Sequence, residues 1–331
     1  MTIYLMIALL VVASLVLGII TFAFQQLTHM KLQTTDKLFQ YLEQSGVYSR
    51  ERFSRLKKQD VHILSDDGLS LCGYVIETDP SSKHWAIIVH GYTVSMLIST
   101  QYVDLFQSEG FNILLIDQRR HGNSEGKYTT YGYYEKYDIA AWVRWILHSY
   151  GTECSIGLHG QSLGGATVLE YLSIVHPNVK FVVADCPFSD LTQLVRHQAR
   201  TVYRLPASPL LPIINKMLKR KAGFSMEQVS PLQAVEHSHL PVLFIHGTKD
   251  NYVPTSMSEQ LYEHKPGPRN LLLVDGAVHG NAYAVAPKEY SEAVRLLIHQ
   301  ALRTEVHPNS IATIAPELTG VTEQTALPLS T

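Results

Sequence analysis

The stretch CSIGLHGQSLGGATVLEYL, residues 154–172, decides the fold of this chain. It begins as a short apolar run typical of a buried strand and ends with apolar residues at helical spacing. Between the two parts, Ser162 is flanked at two positions on either side by Gly160 and Gly164. A serine at a tight strand-to-helix turn projects from the carboxyl edge of a sheet, and side chains two residues away would collide. The stretch therefore predicts a nucleophilic serine; a glycine-rich turn needed only for packing is the alternative.

The composition is that of a globular, enzyme-sized chain. The 331 residues are 46% hydrophobic and 17% charged, with a formal charge of −2. This predicts one domain of roughly 250 residues with appendages. A dense Lys/Arg stripe is absent from the sequence, so nucleic acid is not expected as a partner. The odd number of cysteines, without a metal-binding spacing, predicts three buried thiols: Cys72, Cys154 and Cys186.

The N-terminus is strongly apolar. Residues 3–24 contain no charged side chain. As a helix rising about 1.5 Å per residue, they would cross a hydrocarbon core of about 30 Å. We therefore predict a single-pass membrane anchor over residues 1–28. A cleaved signal peptide is the alternative, but the segment lacks a preceding Lys or Arg, is long for such a signal and has no clear cleavage site.

Cations follow the apolar segment, and flanking Lys and Arg residues tend to stay on the cytoplasmic side. We therefore expect the catalytic body to face the cytoplasm. The cations in question are Lys31, Lys37, Arg50, Arg52, Arg55, Lys57 and Lys58.

The centre of the chain alternates between strand and helix signals. Near-continuous apolar runs predict strands covered on both faces, at residues 85–90, 111–117, 154–159, 181–186, 242–247 and 270–276. Helices are predicted at residues 95–109, 133–148, 163–175, 256–264 and 287–302. An antiparallel hairpin over residues 61–78 should turn at Asp66-Asp67-Gly68. The fold class is therefore α/β, a mostly parallel sheet with helices on both sides.

These signals divide the chain into segments. A helical linker is predicted over residues 29–60, the α/β domain over 61–302 and a flexible tail over 303–331, where Thr, Pro and Ser replace the apolar periodicity.

A serine hydroxyl needs a base, and the base needs an orienting carboxylate. In this architecture they should follow later strands, in the order serine, acid, histidine. Asp250 lies just after the strand at 242–247, and His279 lies just beyond the next strand, in a loop freed by glycines. We predict these two as acid and base. Asp185 and Asp190 are the alternative acids, and Asp275 is expected to be only a loop carboxylate.

The oxyanion formed when a carbonyl is attacked needs hydrogen-bond donors. The backbone N–H of Leu163, at the positive end of a helix, and that of Tyr92, after the first central strand, are the predicted pair. Asp117 and Arg119 are interpreted as a buried network that holds loops, with substrate contact as the alternative. His90 is expected to be structural. No metal is assigned to His237 and His239, because two further ligands at useful spacing are missing.

Taken together, these motifs resemble the α/β-hydrolase superfamily. They are His90-Gly91-Tyr92, Asp117-x-Arg119-x-His121-Gly122-x-Ser124, Gly160-Gln161-Ser162-Leu163-Gly164, His246-Gly247-x-x-Asp250 and His279-Gly280. The chain is more narrowly similar to bacterial serine aminopeptidase-like and dipeptidyl-peptidase-like members, some of which have an N-terminal membrane helix. The resemblance covers about residues 61–302 and implies an eight-stranded sheet with a Ser162, Asp250, His279 triad. It does not imply a substrate, because esterases, thioesterases, lipases and peptidases share this frame.

Residues 187–240 form a long insertion with short helical pieces, which predicts a lid over the catalytic edge. Its apolar residues either line a substrate pocket or pack the lid onto the body: Leu210, Leu211, Ile213, Ile214, Met217 and Leu218. Its basic residues are expected to be solvated, with contact to anionic lipid as the alternative: Lys216, Lys219, Arg220 and Lys221.

The predicted function is hydrolysis of an ester or amide bond in a small-molecule or peptide substrate, through an acyl-enzyme and without a cofactor. Acyl transfer to a second alcohol or amine is one alternative, since it uses the same triad. A catalytically silent binding protein on the hydrolase fold is another.

Overall fold

The structure, a computed structural model, describes residues 2–204 and 206–303. Apart from Arg303, which ends the last helix, the predicted tail lies outside the described residues. Three helices precede the sheet: α1 Thr2–Thr28, α2 Thr35–Gln44 and α3 Arg50–Arg55. The side chains of Thr34 and Ser49 cap the first turns of α2 and α3 by accepting hydrogen bonds from backbone N–H groups.

Helix α1 is long and apolar enough to cross a membrane, a property that a signal sequence shares. Its side chains from residue 2 to residue 18 are all exposed. Beyond them, Ile20, Phe24 and Thr28 are buried against the rest of the molecule. The helix therefore has a free apolar part and a docked part.

A single eight-stranded sheet forms the centre of the molecule, in the order β1-β2-β4-β3-β5-β6-β7-β8. Strands β1 and β2 form the predicted antiparallel hairpin, and β2 is also antiparallel to β4; all other neighbours are parallel. The strands are β1 Gln59–Leu64, β2 Ser70–Ile76, β3 His84–Val89, β4 Asn112–Ile116, β5 Ser155–Gln161, β6 Val179–Asp185, β7 Val242–Gly247 and β8 Arg269–Val274. The predicted strands are confirmed to within two residues at each end.

Helices cover both faces of the sheet, as predicted. They are α4 Val103–Gln107, α5 Glu135–Tyr150, α6 Leu163–Glu170, α7 Leu191–Thr201, α8 Ala207–Met217, α9 Pro231–Glu236, α10 Thr255–His264, α11 Ala282–Val285 and α12 Pro287–Arg303. Apolar residues of α5, α6, α9 and α10 form one core layer with the sheet, and those of α4 and α12 form the other. Strands covered on both faces cannot alternate apolar and polar residues, which explains their continuous apolar runs.

Two predicted helices are partly wrong. The helix predicted at 95–109 begins later, as a 3-10 turn over Ile98–Tyr102 that leads into α4. Its predicted first turn is a loop, because the backbone N–H of Met96 donates to Asp117 Oδ1 at 2.7 Å instead of forming a helix. The helix predicted at 163–175 is α-helical only as α6 and ends in a 3-10 turn, Tyr171–Ile174.

The insertion between β6 and β7 contains α7, α8 and α9, and α8 continues as a π-helical turn over Leu218–Ala222. Leu218 is buried, whereas Ile213 is 41% exposed. The other inward apolar residues of α8 pack in one cluster with Ile20 and Phe24 of α1. The insertion therefore packs against both the sheet domain and the N-terminal helix.

Candidate active site

Ser162 lies at the sharp turn between β5 and α6, with a backbone φ of +55° that is unusual for a residue with a side chain. The turn is as cramped as the sequence predicts. A Cβ added at Gly160 would lie 2.2 Å from the carbonyl oxygen of Gly164, and one at Gly164 would lie 2.2 Å from that of Val89. Both glycines are therefore required sterically, and the Ser162 side chain is held at the carboxyl edge of the sheet.

His279 comes from the loop after β8, 117 residues downstream of Ser162, and its Nε2 lies 2.8 Å from Ser162 Oγ. The loop can present the ring because Gly276 and Gly280 both have a φ of +72°. The imidazole is partly open to solvent, with 24% of the side chain exposed. The structure therefore brings the predicted nucleophile and base into direct contact.

Asp250, in the loop after β7, completes the arrangement. Its Oδ2 lies 2.6 Å from His279 Nδ1. Its Oδ1 accepts the backbone N–H groups of Tyr252 and Val253, each at 2.9 Å. Burial alone would raise the pKa of Asp250, but hydrogen bonds from His246 and His279 outweigh burial and hold that pKa well below its usual range.

The ionised state of Asp250 decides how the protons are arranged. A carboxylate can only accept hydrogen bonds, so the Nδ1 of His279 carries the proton. In the neutral ring Nε2 is then an acceptor and faces the Ser162 hydroxyl, which donates to it. This is the tautomer that a general base needs.

His246 is a residue of this site whose role the sequence analysis missed. It is fully buried, and its Nε2 lies 3.1 Å from Asp250 Oδ2 and 3.0 Å from the carbonyl oxygen of Val253. Both partners are acceptors, so Nε2 carries the proton while Nδ1 accepts from the Ser258 hydroxyl at 2.7 Å. The available signal was a histidine four residues before the predicted acid, at the end of a buried strand.

The predicted oxyanion donors lie beside the nucleophile. Leu163 is the first residue of α6. A Cβ built at Gly91, the neighbour of Tyr92, would lie 3.4 Å from Ser162 Cβ. Within residues 2–204 and 206–303, neither the Tyr92 nor the Leu163 backbone N–H donates a hydrogen bond. Both N–H groups therefore lack a protein partner within these residues, as oxyanion donors must.

The alternative acids have other roles. Asp185 lies on β6 and accepts the hydroxyls of Tyr102 and Tyr290, at 3.1 and 3.2 Å. Asp190 caps α7 by accepting the backbone N–H of Gln193. Asp275 is an exposed loop carboxylate that accepts from Thr248, in line with the prediction.

Asp117 and Arg119 are both buried and both hold loops, as predicted, but through separate sets of partners. Arg119 forms a two-point ion pair with Asp138, both contacts at 2.7 Å, and also binds Asp67 in the β1–β2 turn. Asp117 instead accepts the backbone N–H groups of Met96 and Asn123, and burial raises its pKa to about 6. Neither Asp117 nor Arg119 lines the cleft that contains Ser162, so neither supports the alternative of substrate contact.

His90 is structural, as predicted. Its Nε2 accepts the backbone N–H of Gln118 at 3.1 Å, and its Nδ1 donates to the carbonyl oxygen of Gly91 at 2.7 Å. Burial holds its pKa well below the usual value, so the ring stays neutral.

One group of described residues has three potential metal ligands close together: Cys186, Asp250 and His279. Asp250 and His279 already share a hydrogen bond of 2.6 Å. Burial, with Asp185 and Asp250 nearby, raises the pKa of the Cys186 thiol well above its usual value, so the sulfur is a protonated and poor ligand. The donor set therefore favours proton transfer over metal binding. All three cysteines are free and buried, which confirms that prediction.

Two cavities meet at the site. An open cleft of about 580 Å³ contains Ser162, His279 and Gly280 in its wall. A narrower apolar slot of about 60 Å³ lies between α1 and the insertion, and Leu210, Leu211 and Ile214 of α8 line it. Both predicted roles of the apolar lid residues therefore occur. These three residues line a pocket, whereas Leu218 packs the lid onto the body.

This fold and arrangement of residues define a class of proteins, and the chain belongs to the α/β-hydrolase superfamily. A sequence profile described as alpha/beta hydrolase fold matches residues 86–239. YqkD of Bacillus subtilis (strain 168), an uncharacterized protein, is 35% identical over 294 residues, which cover 88% of this chain and 95% of YqkD.

Solved structures show the same architecture. Esterase Pf2001 of Pyrococcus furiosus superimposes with a TM-score of 0.62 and 26% identity, over 77% of this chain and 94% of the esterase. Est1E from Butyrivibrio proteoclasticus, solved with ferulic acid bound, has a TM-score of 0.55 and 19% identity, over 73% of this chain and 99% of Est1E. The second likeness shows the fold alone.

Proposed function

We propose that this protein is a serine hydrolase that cleaves carboxylic esters through an acyl-enzyme. The observation that carries the proposal is the continuous chain of hydrogen bonds from Ser162 Oγ through His279 to Asp250, with distances of 2.8 and 2.6 Å. Transfer of an acyl group to a serine requires a nucleophile, a base and an orienting carboxylate in contact with one another.

The mechanism follows from the proton arrangement. His279 Nε2 takes the hydroxyl proton as Ser162 Oγ attacks the ester carbonyl, and Asp250 stabilises the imidazolium that forms. The backbone N–H groups of Tyr92 and Leu163 bind the oxyanion. His279 then gives its proton to the departing alkoxide, which leaves an ester between Ser162 and the acyl group. Water attacks that ester with His279 again as base, releasing the acid and restoring the serine.

An ester is favoured over an amide by the likeness to Pf2001, which is an esterase and is 26% identical to this chain. Cleavage of an amide, as in the peptidase-like branch that the motifs resemble, is the alternative. A comparison of ester and amide substrates distinguishes the two. We expect p-nitrophenyl esters to be turned over faster than aminoacyl p-nitroanilides. Added alcohol acceptors in the same assay distinguish hydrolysis from acyl transfer, because transfer would yield a new ester in place of the acid.

The direct test is covalent labelling with a fluorophosphonate probe. The probe should label the wild-type chain and should not label Ser162→Ala. Ser173→Ala is a matched control, because this exposed serine lies near the end of the same helical segment and only donates to the carbonyl oxygen of Glu170. A wild-type chain that resists the probe, or equal labelling of Ser162→Ala, contradicts the proposal.

We also propose that α1 is a membrane anchor with the hydrolase body on the cytoplasmic side. Lys219, Arg220 and Lys221 support this orientation: all three are exposed, and Lys221 Nζ lies 5.5 Å from the ring centroid of Phe24 in the docked part of α1. Protease added to intact spheroplasts should leave the body uncleaved and should degrade it after lysis. Degradation in intact spheroplasts would place the body on the opposite side.

A further inference from the structure

The docked end of α1 lines the apolar slot beside the catalytic cleft. Phe22, Ala23, Gln26 and Leu27 form one wall of the apolar slot. Helix α1 is held there by specific contacts: the Tyr92 hydroxyl donates to the carbonyl oxygen of Gln26, and the Phe24 ring packs edge-on against Tyr128 at 5.9 Å. A cleaved signal peptide would take this wall away.

The opposite wall of the slot comes from the lid, through Leu210, Leu211 and Ile214 of α8. The slot is narrow and apolar, and among the described residues none of those that line it carries a charge. Such a space suits a thin, unbranched hydrocarbon chain better than a bulky or charged group.

The slot adjoins the catalytic cleft, because the two cavities share lining residues. Tyr92 and Tyr252 border the slot, the cleft with Ser162 and His279, and a small crevice behind Ser162. Gln26 of α1 also borders both the slot and the cleft. A chain lying in the slot would therefore carry its carboxyl end toward Ser162.

The free part of α1 is too short to hold the body away from a membrane. Residues 2–18 are the exposed part, and at about 1.5 Å per residue they extend about 25 Å, less than a hydrocarbon core of about 30 Å. With α1 as the proposed anchor, its docked residues therefore reach the membrane surface. Exposed apolar side chains surround that end of the molecule: Phe22, with 49% exposed, packs edge-on against Tyr203, with 43% exposed.

We propose that α1 stays on the mature chain and forms, with α8, a slot for the acyl chain of an ester presented from the bilayer. The proposal rests on the proposed function, because the acyl chain is placed by its bond to Ser162. It specifies the substrate class as esters of unbranched fatty acids.

The first test compares chain lengths in the full chain reconstituted in nanodiscs. Ala23→Trp fills the slot from its α1 wall, and Ala8→Trp is the matched control on the exposed part of the same helix. The ratio of kcat/KM for p-nitrophenyl decanoate to that for p-nitrophenyl acetate should fall at least about tenfold in Ala23→Trp, since several methylenes lose their site. The ratio should stay within about twofold of wild type in Ala8→Trp.

The second test uses the wild-type chain and does not depend on a variant folding. A long alkyl fluorophosphonate with a diazirine on its chain attaches to Ser162 and is then cross-linked by light. Cross-links to residues 22–27 or 210–214 support the slot. Cross-links confined to other segments overturn the proposal. So does an Ala23→Trp variant that a short fluorophosphonate still labels but whose chain-length ratio is the same as that of the wild type. Failure of the short probe on the wild type is a different result and contradicts the proposed function itself.

Discussion

The side-chain amide of Gln161 donates to the carbonyl oxygen of Gly280 at 2.9 Å, so the residue before the proposed nucleophile holds the loop that carries its base. The same nitrogen lies 2.8 Å from the hydroxyl of Tyr102, which donates to Asp185. Tyr290 links Asp185 to His159. A buried polar network thus connects β5, β6 and the His279 loop beneath the cleft, and it was not apparent from the sequence.

We expect Gln161→Leu to loosen the His279 loop without removing a reacting group. The kcat for a short p-nitrophenyl ester should fall about tenfold with little change in KM, because a small displacement of the base affects the transition state more than binding. Gln107→Leu is the control, since this amide lies on α4 and bonds only to the Thr78 hydroxyl. An equal fall in the control, or a rise in KM alone, would argue against a positioning role for Gln161.

Asp250→Asn tests the orienting carboxylate. The amide cannot enforce the Nδ1–H tautomer of His279, so Nε2 would no longer reliably accept the serine proton. We expect kcat to fall by a factor of about 10³ to 10⁴. Steady-state kinetics with a short ester measure the loss, and Asp275→Asn, in a nearby exposed loop, should stay close to wild type. Near-normal turnover by Asp250→Asn would remove Asp250 from the mechanism.

Asp117 should make the unfolding free energy depend on pH. The direction of this dependence should be opposite to that contributed by an acid in a salt bridge. Its folded pKa, raised to about 6 by burial, exceeds the ordinary value of about 3.9 for an unfolded chain. The folded state therefore binds more protons between these values, and its stability rises as the pH falls from about 6 to about 4. Relative to Asp117→Asn, the wild type should gain up to about 3 kcal/mol in unfolding free energy over this range.

Urea unfolding at pH 7 and pH 4 measures that gain. The comparison with Asp117→Asn cancels the contribution of Asp138, whose pKa burial also raises to about 6. If the difference in unfolding free energy between the wild type and Asp117→Asn were the same at pH 7 and pH 4, Asp117 would be ionised over this whole range.

Gly164→Ala tests the steric reason for the glycines of the turn. The new Cβ would lie 2.2 Å from the carbonyl oxygen of Val89 and 2.6 Å from that of His90, so backbone must move. We expect the variant to be destabilised by about 3 kcal/mol or more, or to be insoluble. Gly18→Ala is the control, because an added Cβ there has no atom within 4 Å. Equal melting temperatures for the two variants would disprove the clash.

Much of the fold could be predicted from local pattern. Continuous apolar runs located six strands to within two residues, because a strand buried on both faces has no position for a polar side chain. The Gly160–Gly164 spacing likewise indicated the strained turn at Ser162, since the clash that excludes a side chain at Gly160 is with Gly164 itself, although the clash at Gly164 is with Val89 at the end of β3. The burial and loop-holding role of Asp117 and Arg119 could be predicted, but their individual partners could not, because Met96, Asn123 and Asp138 are brought to them by loop packing that short-range spacing does not encode.

The sequence by itself determined the architecture, the placement of Ser162 at a strand-to-helix turn and the apolar character of α1, because each depends on the volume and polarity of neighbouring residues. Only the tertiary structure decided that His246 supports Asp250, that Gln161 holds the His279 loop and that the end of α1 borders the slot. The Gln161 and α1 contacts join segments that are far apart in the chain, and even the local His246–Asp250 contact depends on how the loop after β7 folds back on its strand.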